Sequence, residues 1–112
     1  MNDSILNSVK LQLGILPEYT VFDQQLILAI NTAFSILHQL GVGPKDGYAI
    51  EDESNRWDEV VTKQSLNMVK SYVFLKVKLL FDPPATSFVL DAYNKQLAEM
   101  EWRINSEVET NV

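Results

Sequence analysis

Five acids, Glu51, Asp52, Glu53, Asp58 and Glu59, fall within one short segment and carry enough carboxylate oxygen to hold a hard cation. Their spacing lacks the alternating ligands of a helix–loop–helix calcium site, and no glycine stands at the bend such a site needs. No metal is expected, and a solvated acidic loop open to charge-paired contact with a partner fits better. The nearby GVGPKDG (41–47) invites comparison with a phosphate cradle. It lacks the Gly-Lys-Ser/Thr ending and follows a helix rather than a strand, so it reads as a helix stop and a turn. His38 is the only histidine, the chain has no cysteine, and no serine or acid stands at a triad spacing. Glu99 and Glu101 point to different faces of one helix and cannot easily share a substrate. No catalytic residue, cofactor or enzyme activity is expected.

Large aromatics off the main apolar stripes are more informative. Phe74 and Phe81 fall in a polar sector with Lys70 and Lys78, and Phe88 and Trp102 lie off the core stripe of the following helix. Two readings stand side by side. The rings cap the edge of the bundle, or they anchor a subunit interface, where aromatics among polar groups are enriched. In the second reading Lys70 and Lys78 meet the acidic Glu51, Asp52 and Glu53 loop of a neighbouring copy. Head-to-tail pairing of unlike surfaces closes into a ring when the rotation allows it.

The scaffold for these residues reads as all-α, a small bundle of about four helices. A first helix over 4–13 carries Ile5, Leu6, Val9 and Leu13 at helical spacing, with Asp3 or Ser4 as N-cap and Gly14 as its stop. A second, over 21–40, opens on Thr20-x-x-Asp23 as a capping box and buries Phe22, Leu26, Ile30, Ala33, Leu37 and Leu40. Gly41 ends it, and a long loop over 41–55 follows, with Tyr48-Ala49-Ile50 its only plausible strand. The third helix begins near 55–56, breaks around 62–63 and runs to 81. It has two apolar faces: Leu66, Val69, Val73, Val77 and Leu80 on one, Met68, Tyr72, Leu75 and Leu79 on the other. Asp82-Pro83-Pro84 stops it. A fourth runs to about 106 on Val89, Tyr93, Leu97, Met100 and Ile104. The single domain spans 1–106 and residues 107–112 form a flexible tail.

Composition narrows the classes further. At 112 residues and net charge −6, the chain is one small domain whose sign argues against gripping nucleic acid through phosphates. The absence of cysteine rules out disulfides and thiolate metal sites and fits a reducing cytoplasm. MNDSILNSVK lacks the basic and long apolar segments of a secretory signal, and the most apolar run, 72–81, is half the length of a membrane span and carries Lys76 and Lys78. A soluble intracellular protein with no membrane partner is expected.

Four pieces in order, LQLGI with the following YTVFD, LILAINTAFSILHQLGVGP, the Trp57 segment, and VKSYVFLKVKLLFDPPATSFVLDAYNKQLAEMEWRIN, cover about 4–105. Together they resemble the small head-to-tail connector (adaptor) proteins of long-tailed bacteriophages and prophages. The resemblance implies a helical subunit that forms a homo-oligomeric ring, commonly a dodecamer in the virion. The ring sits beneath the portal protein and joins it to the next neck, stopper or tail completion protein, while DNA passes through without sequence-specific binding. It implies no enzymatic activity, a place in the virion neck, and assembly in the bacterial host cytoplasm. It also puts the portal contact in the last helix and tail, here about 101–112, including Trp102 and Arg103. The rival is a non-phage helical binding module or regulator, which would stay a monomer or dimer and ignore a portal protein.

Overall fold

The computed structural model describes residues 4–61 and 66–110. Among these residues are four helices, α1 (Ile5–Gln12), α2 (Asp23–Gln39), α3 (Leu66–Phe81) and α4 (Ser87–Thr110), and a 3-10 turn, Trp57–Glu59. The architecture is all-α, and among the described residues there is no strand, only an isolated antiparallel bridge between Ser4 and Arg56.

α3 is the central element, packed on α1, α2 and α4, while α4 leans chiefly on α3. Its sequence accounts for this position. Val69, Tyr72, Val73 and Val77, at helical spacing, are fully buried, and Met68, Phe74, Leu75, Leu79 and Phe81 are partly buried around them. Full burial of such a side chain contributes roughly 1.5–3 kcal/mol. Leu80, expected on the core face, is instead 48 % exposed. It lies in the last turn of α3, lining a groove with Leu28 rather than entering the core.

Both glycine stops form as the sequence predicts. Gly14 (φ 78°) and Gly41 (φ 92°) take the left-handed conformation. The amides of Gly14 and Ile15 donate to the carbonyls of Leu11 and Lys10, and those of Gly41 and Val42 donate to His38 and Leu37. This double closure satisfies carbonyls that a helix end leaves open. At the start of α1, Ser4 is the N-cap, its Oγ accepting from the Asn7 amide at 3.3 Å.

The expected capping box at Thr20 and Asp23 does not form. α2 begins at Asp23, with Phe22 at the cap position and no side-chain cap. The Asp23 carboxylate turns to Lys10, whose Nζ lies 2.8 Å from Oδ1 and 2.8 Å from the Pro17 carbonyl oxygen. Lys10 is 1 % exposed. A buried ammonium without an anion is far more costly than a helix amide near water, so the ion pair takes the carboxylate.

The expected strand at Tyr48-Ala49-Ile50 is also absent. A side chain replaces the missing partner strand: Ile50 donates its amide to Asn31 Oδ1 at 2.7 Å, and Asn31 Nδ2 donates to the Ile50 carbonyl at 3.1 Å. The third helix does not start at 55–56. Trp57–Glu59 is the separate 3-10 turn, and the predicted break at 62–63 lies outside the described residues. α4 continues as helix four residues past its predicted end at 106, through Thr110, into what reads as tail; residues 111–112 lie outside the described residues.

Candidate assembly surface

The 82–86 corner aims α4 back along α3. Thr86 Oγ1 accepts from the Val89 amide at 3.3 Å and caps the new helix. On the inner edge of α4, Leu97 and Ile104 are buried and Leu90, Tyr93 and Met100 half-buried. Val89, expected in this stripe, is exposed. The Tyr72 hydroxyl donates to Glu101 Oε2 at 2.8 Å. Burial first, then this bond to an anion, pushes the Tyr72 pKa well above its ordinary value.

The outer face of α4 is different. Phe88 is 83 % exposed and Trp102 70 % exposed. Fourteen residues separate them, about 21 Å along the helix, and they share its outer side. Arg103 Nη2 sits 2.7 Å from Glu99 Oε1 in an exposed pair one turn apart, an arrangement that contributes little to stability.

Phe74, Phe81 and Lys70, grouped with these by sequence, turn inward. Phe74 meets the buried Trp57 edge-on, centroids 6.0 Å apart, and Trp57 in turn meets Phe34, which meets Tyr48. Lys70 Nζ lies 5.6 Å from the centre of the Trp57 ring, a cation over an aromatic face. Phe81 packs edge-on against Phe22 at 5.3 Å, and Phe22 against Tyr19. Lys78 is bound to Asp82 at 2.6 Å, and that bond first raises its pKa. Trp57 is the hub that periodicity alone missed; its Nε1–H also donates to Ser8 Oγ at 3.2 Å, tying the 3-10 turn to α1.

Glu51, Asp52 and Glu53 are exposed. The segment 41–61 holds six acids against two bases, a net −4 of the chain's −6, so one end of the bundle carries most of the net negative charge. The loop is nonetheless built. Asn55 Oδ1 accepts from the Glu51 and Asp52 amides, and Asp52 Oδ1 accepts from the Ser54 amide and hydroxyl. Those Ser54 bonds hold the Asp52 pKa below the usual range, the hydroxyl contributing most. Glu59 accepts from the Tyr48 hydroxyl and the Arg56 amide, which lower its pKa in that order. Among the described residues no three acids or histidines converge as a metal site, and no helix is long and apolar enough to cross a membrane.

A second apolar surface escaped the periodicity. Gln25, Leu28, Ala29, Thr32, Leu80 and Phe81 line a groove between α2 and α3, with Leu28 71 % exposed. Its signal was in the sequence: residues 24–39 hold no Asp, Glu, Lys or Arg, although the exposed side of a helix normally does.

No curated protein and no solved structure shows a match to the chain. The family model described as phage connector protein matches residues 5–111, from the first residue of α1 to just beyond α4. The match takes in all four helices and the acidic loop and favours the connector over the non-phage regulator; the chain belongs to the phage connector protein family.

Proposed function

We propose that the chain is the adaptor subunit of a tailed-phage neck, a structural protein with no catalytic role. Copies form a ring, twelvefold in the virion, that sits beneath the portal protein and joins it to the stopper or tail completion protein. It assembles in the bacterial host cytoplasm and stays in the virion. The observation that carries this reading is α4: a 24-residue helix that packs chiefly on one neighbour while presenting Phe88 and Trp102 to solvent. Exposed aromatics on an ordered helix are what an interface anchor looks like before its partner arrives.

The portal contact is assigned to the C-terminal half of α4 and the residues after it, with Trp102 as the anchor and Arg103 beside it. The opposite end of the bundle exposes Leu16, Tyr19 and Val21 and is left for the next neck component. The acidic Glu51, Asp52 and Glu53 loop gives the conduit a charge that repels phosphate, so that DNA slides through rather than binds. Phe74, Phe81 and Lys70 support the interface from inside, and Lys78 stiffens the corner before α4.

Size-exclusion chromatography with light scattering, on the chain alone and mixed with its portal protein, tests the reading. A ring-sized complex that appears or tightens with the portal is expected. A chain that stays monomeric and elutes apart from the portal at high concentration overturns it.

A further inference from the structure

We infer that neighbouring copies meet through unlike faces: the first turn of α4, led by Phe88, seats in the α2–α3 groove of the next copy, against Leu28 and Leu80. This rests on the ring reading above and names the contact that builds it.

Position on the fold argues for it. α2 and α4 both pack chiefly on α3, and Leu80 of the groove stands nine residues from Ser71, which faces α4, about 180° around α3, so the groove and α4 lie on opposite sides of that helix. Phe88 stands nine residues before the buried Leu97, about 180° around α4, and so faces away from α3. Leu28 stands two residues from each of the buried Leu26 and Ile30 and likewise faces outward. The two features also share a level. The Phe22–Phe81 contact sets the start of α2 beside the end of α3, and Phe88 follows α3 by one short corner. A rotation about an axis along the bundle therefore carries the knob of one copy toward the groove of the next, which is how a heterologous contact closes a ring.

Chemistry agrees with position. The six groove-lining residues carry no formal charge, so seating an apolar ring there strands no ion. A phenyl ring buries at most roughly 150–250 Å². A stable interface needs about 800 Å² per partner. One such contact is therefore weak, and it holds only when each copy makes two of them in a closed ring, or when a portal template gathers the copies.

The chain has no cysteine, which makes thiol crosslinking clean. Gln25→Cys lies in the wall of the groove and Asp91→Cys beside the knob, and neither removes Leu28 or Phe88. With portal protein present and a short bismaleimide added, a mixture of the two single variants is expected to give a crosslinked dimer. The double variant is expected to give a ladder up to the full ring. Each single variant alone gives none. A dimer from Asp91→Cys alone means a two-fold contact and overturns the inference. Rings that form on the portal but crosslink in no combination overturn it too, while leaving the adaptor role standing. Failure of the unmodified chain to assemble at all overturns the adaptor role instead, and the inference with it. Phe88→Ser is expected to raise the concentration for half-assembly about tenfold or more, with thermal unfolding of the free subunit unchanged. Unchanged assembly in that variant overturns the proposed contact.

Discussion

Two polar residues hold the chain together at points where their own neighbours in sequence predict nothing. Asp23→Ala leaves the Lys10 ammonium buried without its anion and is expected to lower unfolding free energy by about 3–5 kcal/mol. Lys10→Met removes the charge itself and frees a carboxylate near water, so it is expected to cost less. Urea unfolding of the two variants gives the comparison, and equal losses would mean that the pair matters only for packing. Asn31→Leu strands the Ile50 amide and carbonyl and is expected to cost about 1–3 kcal/mol. Hydrogen exchange should show the loss as faster exchange at Ile50. Neither role was legible beforehand, for a physical reason. Lys10 and Asp23, and Asn31 and Ile50, meet only after the chain folds back, whereas the Thr20-x-x-Asp23 template judges a carboxylate by its nearest amides alone. The exposed Glu99–Arg103 pair shows the converse: its spacing is local, is readable at once, and matters little.

Helices were the most legible level, because burial repeats every three to four residues and α3 buries Val69, Tyr72, Val73 and Val77 at that spacing. Elements without a period were not. Trp57–Glu59 reads as the start of a helix, yet Trp57 is a buried hub joining α1, α2 and α3 through Ser8, Phe34 and Phe74. Trp57→Ala is expected to cost about 3–5 kcal/mol and to loosen the 41–61 loop with it; fluorescence of the remaining tryptophan, Trp102, then reports unfolding at lower denaturant. Val73→Asp puts an unpaired charge at the centre of α3 and is expected to prevent folding outright. The clamp between α3 and α4 has a pH signature. Tyr72 keeps its proton in the fold above the ordinary tyrosine value of 10. Its contribution is therefore complete below pH 10 and lost as pH rises through the raised folded value. Glu59 runs the other way: its depressed pKa stabilises above the ordinary 4.5, and the benefit is lost as pH falls through the folded value. Tyr72→Phe is expected to make the alkaline limb of the stability curve shallower, leaving the part that Tyr48 contributes through its bond to Glu59, and to leave the acid limb as it was.

The molecule as a whole is polar along its length, with the acidic loop at one end and exposed Leu16, Tyr19 and Val21 at the other. Net charge gave half of this arrangement. Its concentration in the folded 41–61 segment came only with the bonds of Asn55, Asp52 and Glu59. The candidate surface was similarly half legible: Phe88 and Trp102 fall outside the core stripe by spacing alone, but Phe74 and Phe81 share that property and are half-buried against Trp57 and Phe22, which lie elsewhere in sequence. If the two exposed rings serve different partners, their losses must separate. Trp102→Ala is expected to change subunit stability by less than about 0.5 kcal/mol, because little of the ring is buried. It should abolish or sharply weaken capture by the portal while self-association, driven to completion at high concentration, persists. Phe88→Ser should do the reverse, losing self-association while single subunits still bind the portal. Light scattering and portal pull-down on both variants decide it. If both variants lose both activities in parallel, α4 is one continuous interface and the assignment of its two halves to two partners is wrong. A loss of several kcal/mol of subunit stability in Trp102→Ala would place that ring in the core and remove it from the surface altogether.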